Sequence, residues 1–252
     1  IRDSSEEIIN LIEKYKIGGI MFLQGGPIRQ AKLTNAFQSK SKVPLMIAID
    51  AEWGVSMRLD SCLRFPWQMT LGAIKDSSLI YEMGVEIARQ CKILGIHINF
   101  APVVDVNSNP NNPIINNRSF GENPVKVGEL STAYMNGMQD NNVLACAKHF
   151  PGLGDTDDDS HKTLPVVEKN KKELDIVELL PYKMLIDSGL GSVMTAHLHI
   201  PSLDNTKDLA VSLSKKVVEG LLKNEMGFEG LTITDALNMK GVSQFYKPGE
   251  VD

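Results

Sequence analysis

The sequence has few of the features that mark several large classes of protein. Its three cysteines, Cys62, Cys91 and Cys146, are an odd number without metal-type spacing, and the last two fall in apolar patterns typical of buried thiols. No apolar run approaches the roughly 20 residues of a membrane span. Lysine and arginine total 26 against 31 aspartates and glutamates, which argues against nucleic acid or an anionic membrane as the main partner. The chain of 252 residues is long enough for one large α/β core.

Apolar runs and helix-like segments alternate strictly along the chain. The strands are predicted at 20–23, 45–49, 96–100, 143–147, 192–196 and 231–234, and the helices at 5–15, 28–40, 77–93, 124–141, 170–188 and 213–226. Residues 101–124 are rich in Asn and Pro and are predicted to form a loop. Strands that are apolar on both faces and separated by helices predict a parallel sheet. Because no GxGxxG or GxxxxGK[ST] motif follows any strand, a (β/α)₈ barrel is favoured over the phosphate-binding open sheets.

Such a barrel needs eight strands, and six are visible. We therefore expect one strand before residue 1 and at least one after residue 252, so that residues 1–252 are a single catalytic-type barrel domain from a longer chain. Whether the full-length chain has a further C-terminal domain is left open. The chain begins at Ile1 without a Met, so the compartment, cytoplasmic or exported, is also left open.

Polar residues stand where the predicted strands end. They are Asp50, Asn99, Lys148, His149, His197, His199 and Asp235. In a parallel barrel these ends share one face, and that face carries the active site. The Gly-rich loop after the fourth strand reads KHFPGLGDTDDDSHKTLP and adds Asp159 and His161, which are close enough for an Asp–His hydrogen bond. The pattern predicts one shared site, and the alternative for Asp235 is that it is the N-cap of the next helix.

The same loop and strand ends suggest two kinds of metal site. Asp155, Asp157 and Asp159 have the spacing of the first calcium ligands, but Ser160 stands where the loop requires Gly and Val166 where it requires Glu. Calcium is therefore disfavoured. The pair His197 and His199 could bind zinc together with His149 and Asp235.

At the level of motifs the chain resembles the family 3 glycoside hydrolases, in particular their β-N-acetylhexosaminidase branch. The similarity runs from about Gly18 to Met239. The long segment KHFPGLGDTDDDSHKTLP resembles the family signature KHFPGHG…DSH…P, and ITDALNM resembles the segment that carries the nucleophile. IDAEWGVSMRL and NRSFGENP resemble the substrate-binding stretches D-x-E-G-G-R-x-x-R and R-S-F-G. Three positions depart from these patterns: Trp53 replaces the first Gly of EGG, Val55 stands where Arg is usual, and Leu153 replaces the His of PGHG.

The resemblance implies roles for individual residues. Asp235 would be the nucleophile of a retaining exo-glycosidase, and His161, supported by Asp159, would be its general acid/base. The residues expected to bind the substrate sugar are Asp50, Arg58, Arg118, Lys148, His149 and His197. No cofactor and no metal are implied, and the expected partner is a glycan that contains N-acetylglucosamine.

The resemblance thus implies a β-N-acetylglucosaminidase that acts on peptidoglycan fragments, as relatives do. Three alternatives stay open at this stage. They are a β-glucosidase of the same family, a metal-dependent barrel hydrolase that uses His197 and His199, and a sugar-binding domain without turnover.

Overall fold

The computed structural model describes residues 5–160, 162–247 and 249–250. The strands are Gly19–Phe22 (β1), Met46–Ile49 (β2), Ile98–Asn99 (β3), Leu144–Phe150 (β4), Ser192–Thr195 (β5) and Leu231–Thr234 (β6). The α-helices are Ser5–Asn10 (α1), Pro27–Gln38 (α2), Gln68–Leu71 (α3), Ser78–Ile93 (α4), Pro124–Gln139 (α5), Lys171–Ile176 (α6), Leu179–Asp187 (α7) and Lys240–Ser243 (α8). Leu11–Tyr15 and Lys216–Glu225 form π-helical segments, and single 3₁₀ turns occupy Val55–Met57, Asn116–Arg118 and Val211–Leu213. No helix in these ranges is long and apolar enough to cross a membrane.

All six strands belong to one parallel sheet, and their spatial order is the order in the sequence. Each strand therefore pairs with the next one along the chain, as in a barrel built from successive βα units. All the carboxyl ends of the strands consequently lie at one edge of the sheet. The predicted α/β class and parallel order are confirmed.

The two faces of the sheet pack against different partners. One face contributes residues such as Ile47, Ile49 and Val193 to the main hydrophobic core. The other face forms a smaller apolar cluster with a member from every strand: Met21, Ala48, Ile98, Cys146, Met194 and Ile233. Because residues of the first and last strands join the same cluster, the sheet is curled, and this cluster fills the inside of the curl. The described residues supply six strands of the eight-stranded barrel architecture.

Among the boundaries that differ from the sequence-based expectation, two change the chain at and after β4. The single helix predicted at 170–188 is two helices, α6 and α7, with a break at Val177 and Glu178. Pro181 has no N–H for the carbonyl of Val177, four residues earlier, and its ring crowds that carbonyl. The predicted strand at 143–147 extends through Phe150, so Lys148 and His149 lie in β4 rather than in the loop that follows it.

Candidate active site

A cavity of about 820 Å³ opens at the carboxyl ends of the strands. Met21 of β1 and Thr234 of β6 both line it, so the curled sheet surrounds it from its first strand to its last. Phe100 and Met194, which belong to the inner apolar cluster, also contribute to its wall. This is the face on which parallel barrels carry their active sites.

One wall of the cavity is a network of five charged side chains. Lys148 Nζ lies 2.8 Å from Asp50 Oδ1 and 2.8 Å from Glu52 Oε1. Arg118 binds Glu52 in a bidentate manner, with Nε 3.0 Å from Oε2 and Nη2 2.8 Å from Oε1. Arg58 pairs with the remaining oxygen of Asp50. Three cations thus surround two carboxylates, and Lys148 and Glu52 are only 3% and 0% exposed in their side chains.

Mutual pairing keeps these buried groups charged. Burial alone raises the pKa of Asp50 and Glu52, but the charges of Lys148 and of the neighbouring arginines outweigh it, so both pKa values lie below their ordinary range. Burial alone lowers the pKa of Lys148, yet the two carboxylates more than offset this and raise it. The pKa of Arg118 is raised in the same way, chiefly by Glu52 against the effect of burial. The network presents fixed donors and acceptors to the cavity.

The end of β4 turns two consecutive side chains toward the cavity. In a regular strand Lys148 and His149 would point to opposite faces. The pairing of β4 with β5 instead shifts register between Lys148 and Phe150, and such a bulge re-aims side chains. Both Lys148 and His149 line the cavity as a result. The peptide bond between them is cis.

The ring of His149 is oriented by two charged partners. Its Nδ1 lies 2.7 Å from Asp105 Oδ2, and its Nε2 lies 3.3 Å from Arg118 Nη2. A guanidinium can only donate, so Nε2 is the acceptor and Nδ1–H donates to Asp105. Asp105 also accepts the backbone N–H groups of His149 and Leu153, the latter at 2.6 Å. This carboxylate therefore fixes both the ring and the start of the following loop.

Sequence reasoning missed Glu52 and Asp105 as functional residues. Glu52 was visible only as one letter of the DAEWG motif, and Asp105 as one acidic residue inside the apolar run of APVVDV. An acidic side chain in an otherwise buried segment was the available signal, since such groups are almost never buried unless they are paired.

Asn99 was predicted at the edge of the site, but it acts from behind the cavity wall. Its Oδ1 accepts the backbone N–H of Ala51 at 2.8 Å, and its Nδ2 donates to Tyr134 Oη at 3.2 Å. The Tyr134 hydroxyl donates in turn to the Ala51 carbonyl at 2.9 Å. Asn99 is absent from the residues that line the cavity. It fixes the backbone between Asp50 and Glu52 instead.

Asp235 follows β6 and lies on the cavity wall. Its backbone N–H donates to the Thr195 carbonyl at 3.0 Å and continues the strand pairing, while its Oδ1 accepts the N–H of Ala236 at 2.7 Å. The alternative role as an N-cap is wrong, because α8 begins at Lys240 and is preceded by Met239. Asp235 is partly buried and directly follows the last residue of β6.

His197 lies beside the site and does not line the cavity. Its Nε2 donates to the Ala236 carbonyl at 3.1 Å, so its Nδ1 accepts from the Ser212 hydroxyl at 2.8 Å. Burial lowers the pKa of this histidine. In this arrangement the ring is positioned against the Asp235–Ala236 backbone, and its contact with substrate stays a prediction.

The zinc arrangement that the sequence suggests is not formed in the part of the chain that the structure describes. Both ring nitrogens of His197 have protein partners, and His199 Nδ1 lies 3.2 Å from the Leu209 carbonyl. Within the described ranges, no three His, Cys, Asp or Glu side chains are grouped so that they could hold a metal ion.

The loop after β4 is anchored at its base and approaches the cavity at Ser160. At Gly154 a Cβ atom would lie 1.8 Å from the Val106 carbonyl oxygen, so the loop can pack there only without a side chain. Asp159 is partly buried, with its carboxylate 3.6 Å from Lys162 Nζ. Ser160 lines the cavity. The next residue, His161, lies outside the described residues, so its pairing with Asp159 stays a prediction.

The fold and the site together define a parallel α/β barrel-type protein with a charged, carboxylate-bearing cavity at the carboxyl ends of its strands. The sequence profile of the Glycosyl hydrolase family 3 N terminal domain matches residues 2–251. The chain belongs to this family.

Individual relatives agree with that assignment. The chain is 41% identical to beta-hexosaminidase A of Pseudoalteromonas piscicida over 265 aligned positions, which cover 96% of this chain and 44% of the relative. It superimposes with a TM-score of 0.92 and 40% identity on a family 3 beta-N-acetylglucosaminidase from Paenibacillus sp. str. FPU-7, covering 97% of this chain and 48% of that one. The chain also superimposes on NagZ from Neisseria gonorrhoeae, solved with N-trifluoroacetyl-D-glucosamine, with a TM-score of 0.85 and 30% identity. That match covers 94% of this chain and 71% of NagZ. The chain thus spans about half the length of the first two proteins.

Proposed function

We propose that the protein is a retaining exo-β-N-acetylglucosaminidase. The observation that carries the proposal is that one cavity is lined both by Asp235 and by the network of Asp50, Arg58, Lys148 and Arg118. A sugar ring presents hydroxyl groups that donate and accept, and this network offers fixed carboxylate acceptors and cationic donors to match them. The names of the relatives favour N-acetylglucosamine as that sugar.

The proposed reaction has two steps. An Asp235 oxygen bonds to the anomeric carbon as the bond to the leaving oxygen breaks, and His161 donates the proton that this oxygen takes up. The same histidine then removes a proton from water, which attacks the anomeric carbon and releases Asp235. The β configuration is therefore retained. Support for His161 comes from the DSH motif and from Ser160, its neighbour, which lines the cavity.

Hydrolysis of para-nitrophenyl β-N-acetylglucosaminide and of the matching β-glucoside tests the proposal. The full-length protein should release nitrophenol from the N-acetyl sugar, and the first sugar product seen by NMR should be the β anomer. Asp235→Asn should lose most turnover, since the amide is a poor nucleophile, while Asp187→Asn at the exposed end of α7 should keep it. An Asp235→Asn variant with near-full turnover would refute the nucleophile assignment.

The alternatives predict other outcomes of the same assay. Faster release from the glucoside would indicate a β-glucosidase, and loss of activity with a chelator would indicate a metal-dependent hydrolase. Binding of N-acetylglucosamine without release from either substrate would indicate a sugar-binding domain. Peptidoglycan fragments are the natural substrate that we propose, and assay with N-acetylglucosaminyl muropeptides would test that part separately.

A further inference from the structure

Both tryptophans of the chain stand together on the wall of the cavity. The ring centroids of Trp53 and Trp67 are 4.2 Å apart and the planes are tilted by 55°. The guanidinium of Arg64 lies 5.1 Å from the Trp67 centroid and 5.8 Å from that of Trp53. Arg64 is exposed and is absent from the cavity lining, whereas both tryptophans line it. The arginine therefore packs on the rings from outside and leaves them available to the cavity.

The chain holds this aromatic pair in place before any ligand binds. The backbone N–H of Phe65 donates to the Trp53 carbonyl at 3.1 Å and closes the loop between the two tryptophans. The Phe65 ring packs against Gly54, where an added Cβ would lie 3.1 Å from Cδ2. Trp67 itself immediately precedes α3. Because the two rings are already held in position, little conformational entropy is lost when a ligand packs against them.

The tryptophan pair differs from the charged network in depth and chemistry. Glu52 and Lys148 are buried, whereas Trp53 and Trp67 are half-exposed. A glycosidase that removes a terminal sugar holds that sugar at the reacting carboxylate, and the remainder of the substrate extends toward the opening. Partly exposed aromatic faces suit a pyranose ring, because its C–H face can pack on them while its hydroxyls stay in water.

We propose that Trp53 and Trp67 form the subsite for the leaving-group sugar, the pyranose attached to the N-acetylglucosamine that is removed. This inference rests on the proposed function, since it assigns the second sugar of the same substrate. It also gives a role to Trp53, which stands where the family motif has Gly. The competing explanation is that the pair only stabilises the loop from 53 to 67.

Two substrates with the same N-acetylglucosamine and different leaving groups separate these explanations. The leaving group of N,N′-diacetylchitobiose is a pyranose sugar, whereas that of β-N-acetylglucosaminyl fluoride is a fluoride ion. In the full-length protein, Trp67→Ala should lower the ratio of kcat/KM for the disaccharide to kcat/KM for the fluoride by about tenfold or more, which corresponds to about 1.4 kcal/mol. Trp67→Phe should keep most of that ratio, and Trp53→Gly should lower it.

Tyr15→Ala is the matched control, because Tyr15 is an exposed aromatic with the Lys14 ammonium 5.0 Å from its centroid, yet it lies away from the cavity. A purely structural role would lower the melting temperature and both rates together and leave the ratio unchanged, which would overturn the inference. Failure of the unmodified protein to hydrolyse either substrate would count against the proposed function instead.

Calorimetric titration tests the subsite even if the protein hydrolyses neither substrate, because it measures binding and needs no turnover. The unmodified protein, or Asp235→Asn if the disaccharide is cleaved, should bind diacetylchitobiose more tightly than N-acetylglucosamine. Trp67→Ala should remove most of that difference. An unchanged difference in Kd would refute the subsite even for a protein without turnover.

Discussion

Replacing Glu52 with Gln should destabilise the fold strongly while changing almost no volume. Glu52 is fully buried and accepts three contacts of 2.8–3.0 Å, two from Arg118 and one from Lys148. The amide keeps one acceptor but turns an N–H₂ group toward buried cations. Breaking a buried ion pair in this way costs about 3–5 kcal/mol. For a domain of this size we expect the melting temperature to fall by roughly 6–20 °C.

The matched control is Glu219→Gln. Glu219 forms an exposed pair with Lys223 four residues along the Lys216–Glu225 segment, at 2.8 Å. The same change of side chain at an exposed pair should leave the melting temperature nearly unchanged, because solvent screens such pairs. Urea unfolding of both variants, followed by circular dichroism, measures the difference. A Glu52→Gln midpoint equal to that of the control would refute the reasoning.

The stability difference should also depend on pH. The pKa of Glu52 in the folded state lies below its value of about 4.3 in an unfolded chain. The ion pairs therefore contribute fully above that pH, and their contribution is lost as the pH falls further towards the folded-state pKa. The difference in the free energy of unfolding between the unmodified protein and Glu52→Gln should be constant near neutral pH and should narrow below about pH 4. A gap that widens on acidification would contradict the assignment of Glu52 as an ionised partner.

Two further outcomes can be measured. Asp105→Asn should lower kcat/KM by about 100-fold, because the amide no longer holds the His149 ring in one tautomer and orientation; kinetics on the N-acetylglucosaminide check this, and an unchanged kcat/KM would contradict it. Burial raises the pKa of Cys91 and Cys146 to about 12, so a thiol reagent at pH 8 should label only Cys62 when the native protein is treated briefly. After denaturation it should label all three cysteines, and peptide mapping measures both outcomes. Equal labelling of all three in the native state would show that the two buried thiols are accessible.

The sequence by itself determined the order and type of the elements and the edge at which the polar residues collect. Strands such as 45–49 and 192–196 were visible because their apolar runs are local, and a parallel sheet brings the ends of all such strands to one side. Asp50, Lys148, His149 and Asp235 were therefore found from their positions after strands, and the structure places all four on one cavity.

Only the tertiary structure decided which of these residues face the cavity and which support it. His197 follows β5 and Asn99 is the last residue of β3, but both hydrogen-bond to protein atoms behind the cavity wall. The roles of Glu52 and Asp105 depend on partners 44 or more residues away, so no local pattern could reveal them. The bulge in β4 turns the consecutive side chains of Lys148 and His149 toward the same cavity. Local periodicity sets the elements, whereas long-range pairing of buried charges sets the chemistry, because a buried charge is tolerated only where the fold supplies its partner.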